Sequence, residues 1–251
     1  MNTFRHPAEP EMVFVQGGTF LMGATPEQGK SCDSDETPVH KVTLSSFYIS
    51  KYPITQKQWK ILMGTDLKQQ RDKVNINYSI RGEGDNYPMY YISWDEAYEF
   101  INSLNDATGK KYRLPTEAEW EFACRGGLQS ANYKYSGSNN INKVAWYKDN
   151  SGYTAHPVGK KKPNELGIYD MSGNVNELCS DWKGNYISEE QIDPTGNSQG
   201  FRRVNRGGSW YDIPSYSRVA HRYQDEQNTR YYDLGFRLVL PCEKINEVSD
   251  F

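Results

Sequence analysis

Apolar and polar positions are ordered in the first half of the chain and irregular in the second. Met-Val-Phe-Val from Met12 and Thr-Phe-Leu-Met from Thr19 are β-type runs on either side of Gly17-Gly18, and they predict two short strands within residues 12–22. Residues 41–49 predict another, with Val42, Leu44 and Phe47 as its apolar face. Residues 55–63 predict a short helix burying Trp59 and Leu62. Two further helices carry stronger start signals. Ser93-Trp-Asp-Glu96 is a capping box, in which the serine hydroxyl and the glutamate each accept an orphan N–H. Ala97, Phe100, Ile101 and Leu104 follow at i, i+3, i+4 and i+7 as one buried stripe. Thr116-Glu-Ala-Glu119 repeats the device after Pro115 and opens a helix that runs to about Arg125 and stops at Gly126-Gly127.

Beyond residue 127 the helical period vanishes. Segments rich in Asn, Gly, Tyr and Ser run to Arg203, and residues 235–240 predict a closing strand. Two main helices, short strands and much ordered loop make an α+β domain. It is expected to span residues 11–242, between tails at 1–10 and 243–251. Buried loop backbone still needs hydrogen-bond partners, which favours a structural cation.

Composition narrows the function classes. In 251 residues, 24% are charged and 36% apolar, with a net charge of -3, so there is no basic field for nucleic acid. Six Trp, nine Phe and 19 Tyr predict an aromatic-rich core. No apolar run approaches the roughly 20 residues that span a bilayer, and residues 1–11 do not read as a signal peptide. The expectation is a cytoplasmic protein without a membrane partner, or an exported one if the N-terminus has been trimmed. Cys32, Cys124, Cys179 and Cys242 form no C-x-x-C pair and are expected to be buried free thiols.

Several phrases stand out in order: Gly17-Gly-Thr-Phe-Leu-Met-Gly23, Asp35-Glu-Thr-Pro-Val-His40, Tyr52-Pro-Ile-Thr55, Ile92-Ser-Trp-Asp-Glu-Ala97 and Arg113-Leu-Pro-Thr-Glu-Ala-Glu-Trp-Glu121. Pro163-Asn-Glu-Leu-Gly-Ile-Tyr-Asp-Met-Ser-Gly-Asn-Val175, Arg206-Gly-Gly-Ser-Trp210 and Leu234-Gly-Phe-Arg237 complete the series. Across roughly residues 11–240 they resemble the formylglycine-generating enzyme family, also called sulfatase-modifying factor. The resemblance implies a single C-type-lectin-like domain with little regular secondary structure. Active members oxidise a sulfatase cysteine with a copper ion held by two cysteines shortly after the Gly-Gly-Ser segment. That stretch here runs Tyr211-Asp-Ile-Pro-Ser-Tyr-Ser-Arg-Val-Ala-His-Arg222 and has no cysteine. Soft thiolates are what suit Cu(I), so neither copper nor formylglycine-generating activity is expected. The iron-dependent sulfoxide synthase branch adds a helical domain with a histidine cluster. This chain has only His6, His40, His156 and His221, at no metal-binding spacing.

The resemblance also implies a structural calcium, held by the Asp170 side chain, the carbonyls of Gly173 and Val175, and the Glu177 carboxylate. Asn176 and Leu178 stand where the family usually has tryptophans, and a second family site near Asn150 and Gly152 matches poorly.

The expected ligand-binding residues are Ser209, Trp210, Tyr211, Asp212, Tyr216, His221, Tyr223, Asp225, Tyr231 and Tyr232. Rigid aromatic area mixed with adaptable polar groups is the composition of a binding surface. Arg218, Arg222 and Arg237 fit the family's scaffold arginines. The resulting expectation is a calcium-stabilised, non-oxidase family member that binds a peptide, protein or glycan on its 207–233 face. One alternative is an enzyme of altered chemistry, using Ser209, Tyr216 and His221 or a metal on Asp212 and His221. The other is a diversity-generating retroelement variable protein, whose diversified ligand-binding face lies between Gly-Gly-Ser-Trp and Gly-Phe-Arg.

Overall fold

In the computed structural model, which describes residues 5–30, 32–74 and 79–242, the runs around Gly17-Gly18 form strands in different sheets. They are β1 (Met12–Val15) and β2 (Gly18–Met22). The single strand expected over 41–49 is also two, β3 (His40–Leu44) and β4 (Phe47–Ser50). The reason lies in the pattern's parity. Val42 and Leu44 point inward from even positions, Phe47 and Ile49 from odd ones, and one period-2 strand cannot bury both sets on one face. β1 pairs antiparallel with β4, and β2 with β3. Both segments cross between sheets at one point, where a Cβ on Gly17 would lie 2.4 Å from the Leu44 carbonyl oxygen. The Gly17 N–H donates to Ser46 Oγ there (3.0 Å).

Helix α1 (Gln56–Met63) and the unanticipated α2 (Leu67–Asp72) are followed by α3 (Trp94–Thr108) and α4 (Glu117–Cys124). Each begins with a capping box, from Thr55, Asp66, Ser93 and Thr116 respectively. Trp59 of α1 is fully buried and stacks on Phe100 of α3 at 5.7 Å, with Phe236 edge-on to both rings. Helix α4 is buried at all eight positions and packs against strands of two sheets, β2 and β3 in one and β5 and β7 in the other.

The second half is more regular than its sequence suggests. After the single turn α5 (Ile141–Val144) come β5 (Asn176–Trp182), β6 (Gln191–Ile192), β7 (Arg203–Arg206), β8 (Arg222–Asp225), β9 (Leu234–Gly235) and β10 (Val239–Pro241). They build a four-stranded sheet in the order β8-β7-β5-β9, while β10 joins β4 and β6 joins β3. These strands escape the sequence pattern because β5 is irregular between Leu178 and Trp182, and β7 buries Asn205 and Arg206 on opposite faces. The closing strand expected over 235–240 is divided between β9 and β10, which lie in different sheets.

Residues 5–10, set apart as a tail on sequence, pack onto the domain. Ala8 is fully buried, and the Glu9 carboxylate accepts from Tyr112 Oη (2.9 Å). Among the described residues no helix is long and apolar enough to cross a membrane.

Ion pairs between buried side chains join β7 and β8 to helix α4, and connecting segments to one another and to β5. Arg206 bridges Glu117 (2.8 Å) and Glu121 (2.5 Å) of α4, Arg222 forks onto Glu117 (2.6 and 2.7 Å), and Arg218 onto Glu36 (2.7 and 2.5 Å). Arg237 binds Glu177 through two contacts of 2.6 Å and also donates to the carbonyls of Ser50 and Tyr169. These guanidinium groups supply counter-charges to buried carboxylates and donors to buried carbonyls. Two arginine cations on Glu117 hold its carboxyl down at about 2 against the cost of its own burial.

Candidate functional site

The segment from Gly207 to Arg237 supplies both edge strands of the four-stranded sheet, β8 and β9. Gly208 has φ 67°, and a Cβ there would meet the Tyr216 carbonyl oxygen at 2.8 Å, so the chain can turn tightly under the loop only with glycine. That turn sets Ser209 fully buried beneath the surface and Trp210 behind it, where its N–H donates to the Asn174 carbonyl (2.9 Å). A single 3-10 turn, Pro214–Ser217, then presents Tyr216. Tyr223 and Asp225, two apart on β8, share one face of the sheet.

These elements enclose a cavity of about 230 Å³. Eight of the ten expected residues line it: Tyr211, Asp212, Tyr216, His221, Tyr223, Asp225, Tyr231 and Tyr232. Ser209 and Trp210 do not. Trp210 packs against the rings of Tyr211 and Tyr232 (5.6 Å each) and supports the wall. Three lining residues escaped the sequence reading: Asn176, Asp233 and Leu234. Asn176 and Asp233 are joined by a backbone hydrogen bond (2.8 Å) where β5 meets β9, and their only sequence signal is adjacency to the Gly-Asn-Val and Leu-Gly-Phe-Arg phrases.

The floor is acidic. Ser209 Oγ lies 2.8 Å from Asp212 Oδ2 and 2.7 Å from Asp233 Oδ2, and Asn176 Nδ2 also donates to Asp212 (3.2 Å). Burial, with repulsion from Asp212, pushes the Asp233 carboxyl up to about 7. Burial likewise raises Asp212, and it lifts Asp225 to about 6 despite a hydrogen bond from Asn205 Nδ2 (2.7 Å).

His221 takes no part in that floor. Its ring stacks on Tyr216 at 4.5 Å, and Nε2 points toward Asp33, 3.6 Å away. Burial, assisted by Arg218, lowers it to about 4, so it is neutral at pH 7. Ser209 therefore hydrogen-bonds to aspartates and not to histidine, and Asp212 and His221 face different partners. Neither the Ser-His pairing nor the Asp212–His221 metal pairing of the enzyme alternative is assembled. Among the described residues no three His, Cys, Asp or Glu side chains are grouped to hold a metal ion.

The calcium donor set does not fit the ion as these residues stand. Both Glu177 oxygens are taken by Arg237, and Trp120 Nε1 adds a third contact (2.7 Å). Asp170 accepts from the Gly159 N–H (2.8 Å), and burial raises it to about 6. A cation here would have one carboxylate and would sit beside a guanidinium, whereas Ca²⁺ wants six to eight oxygens.

Among the described residues no cysteine lines the cavity. Cys124 and Cys179 are buried, as expected for all four, but Cys32 is half-buried and Cys242 exposed. Burial drives the Cys124 thiol to about 12, far from a reactive thiolate. A larger groove, about 480 Å³, is bordered by Asp181, Tyr186 and Ile192, but its Glu117 and Arg222 neutralise each other.

The sulfatase-modifying factor enzyme 1-like domain matches residues 1–241. Over 91% of its length the chain is 32% identical to the chaperone protein LppX of Paenibacillus barcinonensis, covering 89% of that protein. It is 30% identical to the formylglycine-generating enzyme of Thermomonospora curvata, with 90% and 92% covered. The chain spans only 38% of the serine/threonine-protein kinase pkn1 of Chlamydia pneumoniae, at 31% identity over 92% of its own length. Among solved structures it superposes on Treponema denticola variable protein 1 with a TM-score of 0.79 and 30% identity, covering 92% of this chain and 95% of the other.

Proposed function

The chain belongs to the sulfatase-modifying factor enzyme 1-like family, and from that premise we propose that it binds a peptide, protein or glycan on its 207–233 face in place of oxidising a thiol. The cavity carries this reading. Its walls are tyrosine rings, four of them 37–47% exposed, and its floor is a preformed carboxylate cluster with no thiol. Tyrosines of this kind offer large contact area at low entropic cost. The likeness to a relative named a chaperone protein supports a peptide or protein over a glycan. Peptide and glycan arrays probed with the parent protein and with the Tyr211→Ala/Tyr223→Ala variant test the reading. Array ligands of the parent are expected to weaken by about tenfold or more, with an unchanged melting temperature, because both rings are nearly half exposed. Array ligands held equally by both proteins would place the binding surface elsewhere.

A second reading is favoured by the likeness to a variable protein. In it, the face differs between otherwise similar copies of this chain. Sequencing the coding region from independent isolates should then show substitutions concentrated at exposed lining positions such as Tyr211, Tyr216 and Tyr223. Ser209, Trp210 and the buried arginines would be unchanged. Substitutions spread evenly over the surface would rule this reading out.

A further inference from the structure

We propose that the cavity takes an organic cation, the ammonium or guanidinium end of a lysine- or arginine-like side chain, against Asp212, Asp225 and Asp233. This deepens the binding reading above and rests on it. The argument starts from charge pairing. All seven buried glutamates among the described residues carry a lysine or arginine partner, such as Arg218 on Glu36 and Arg237 on Glu177. The three cavity aspartates form no ion pair with any described residue, and no lysine or arginine lines the cavity. Asp225 is only 8% exposed and has one oxygen held by Asn205. Arg202 acts on it from a distance, without an ion pair. Ser209 cannot neutralise the other two. Its hydroxyl has one proton and lies within 2.8 Å of both Asp212 and Asp233, so the pair still needs a proton or a positive charge from outside.

The walls select the kind of cation. Tyrosine ring faces attract ammonium and guanidinium groups, and among the described residues the metal alternative lacks a grouped set of three donors. A volume of about 230 Å³ lies below the roughly 300–1,000 Å³ of sites that enclose a whole small molecule. It suits the end of a side chain, with the rest of a peptide lying over exposed Tyr211 and Tyr223.

The test titrates the whole chain with N-acetyl-arginine amide, N-acetyl-lysine amide, N-acetyl-norleucine amide and N-acetyl-glutamine amide, following tyrosine ring resonances by NMR. Free arginine and spermidine form a second arm that separates a peptide-borne cation from a free amine. The arginine or lysine amide is expected to bind at least about tenfold more tightly than the norleucine amide. Asp233→Asn and Asp225→Asn, which keep the side-chain shape and remove a buried charge, are expected to erase that preference without lowering the melting temperature. Equal binding of norleucine and lysine amides, no binding of any cationic probe, or a preference that survives both substitutions would overturn the proposal. A neutral probe that binds and is lost in Tyr211→Ala/Tyr223→Ala would leave the binding face standing and remove only its cation preference.

Discussion

Replacing Arg237 by methionine is expected to lower the folding free energy by about 3–5 kcal/mol, as breaking a buried ion pair generally does. Arg237 and Glu177 are both fully buried. Among the described residues, the substitution leaves the Glu177 carboxylate with only Trp120 Nε1 as a donor and strips one from the carbonyls of Ser50 and Tyr169. The large term is the stranded charge, not the lost contact. A second variant, Glu177→Leu/Arg237→Met, should therefore recover much of the stability, since an apolar pair of similar volume avoids the desolvation cost altogether. Urea unfolding of the parent and both variants measures this. A single variant within about 1 kcal/mol of the parent would show that Glu177 has another counter-charge. A chelator present throughout decides whether that charge is calcium: if Arg237 is the partner, the parent's midpoint does not move.

Raising the pH from 6.5 to 8 is expected to destabilise the free protein by about 1.5 kcal/mol. Burial holds Asp233 and Asp181 at about 7 and Asp225 and Asp170 at about 6, all above the 3.8 of a free aspartate. Between those values the folded state binds protons that the unfolded state has released, so stability is present at lower pH and lost as pH rises through 6 to 7. His221 works in the opposite sense, because its folded value of about 4 lies under the unfolded 6.5, and it offsets roughly 0.4 kcal/mol of the loss as the unfolded imidazole gives up its proton above pH 6.5. The aspartates dominate the chosen window. Thermal melts across it should slope downward, and Asp233→Asn combined with Asp181→Asn should remove most of the slope. A flat or rising profile for the parent would contradict the protonation of these carboxyls on folding.

Much of the fold was legible because its signals are local. The capping boxes at Ser93 and Thr116 mark real helix starts, since a cap is satisfied by residues two or three positions away. The crossing at 45–46 was also written in the chain, as the switch in parity between Leu44 and Phe47, although the apolar residues alone read as one strand. The strands β5, β7 and β8 were not legible. Their buried positions include Glu177, Arg206 and Arg222, which a hydrophobic pattern scores as surface. Only their partners on α4 and beside β9 make burial tolerable.

The candidate site divides the same way. Its aromatic and acidic composition could be read from residues 209–232, as could the absence of cysteine where the family's oxidases hold copper. The sequence by itself thus determined the family, the α+β domain, the main helices and most of the stretch that lines the cavity. Only the tertiary structure decided that Glu177 belongs to Arg237, that His221 turns away from Ser209, and that Asp233 joins Asp212 beneath the tyrosines. The physical reason is range. Caps and turns are settled within a few residues, whereas a charge's partner and its protonation depend on what is buried beside it. Here that neighbour lies 60 positions away for Glu177 and 24 for Ser209.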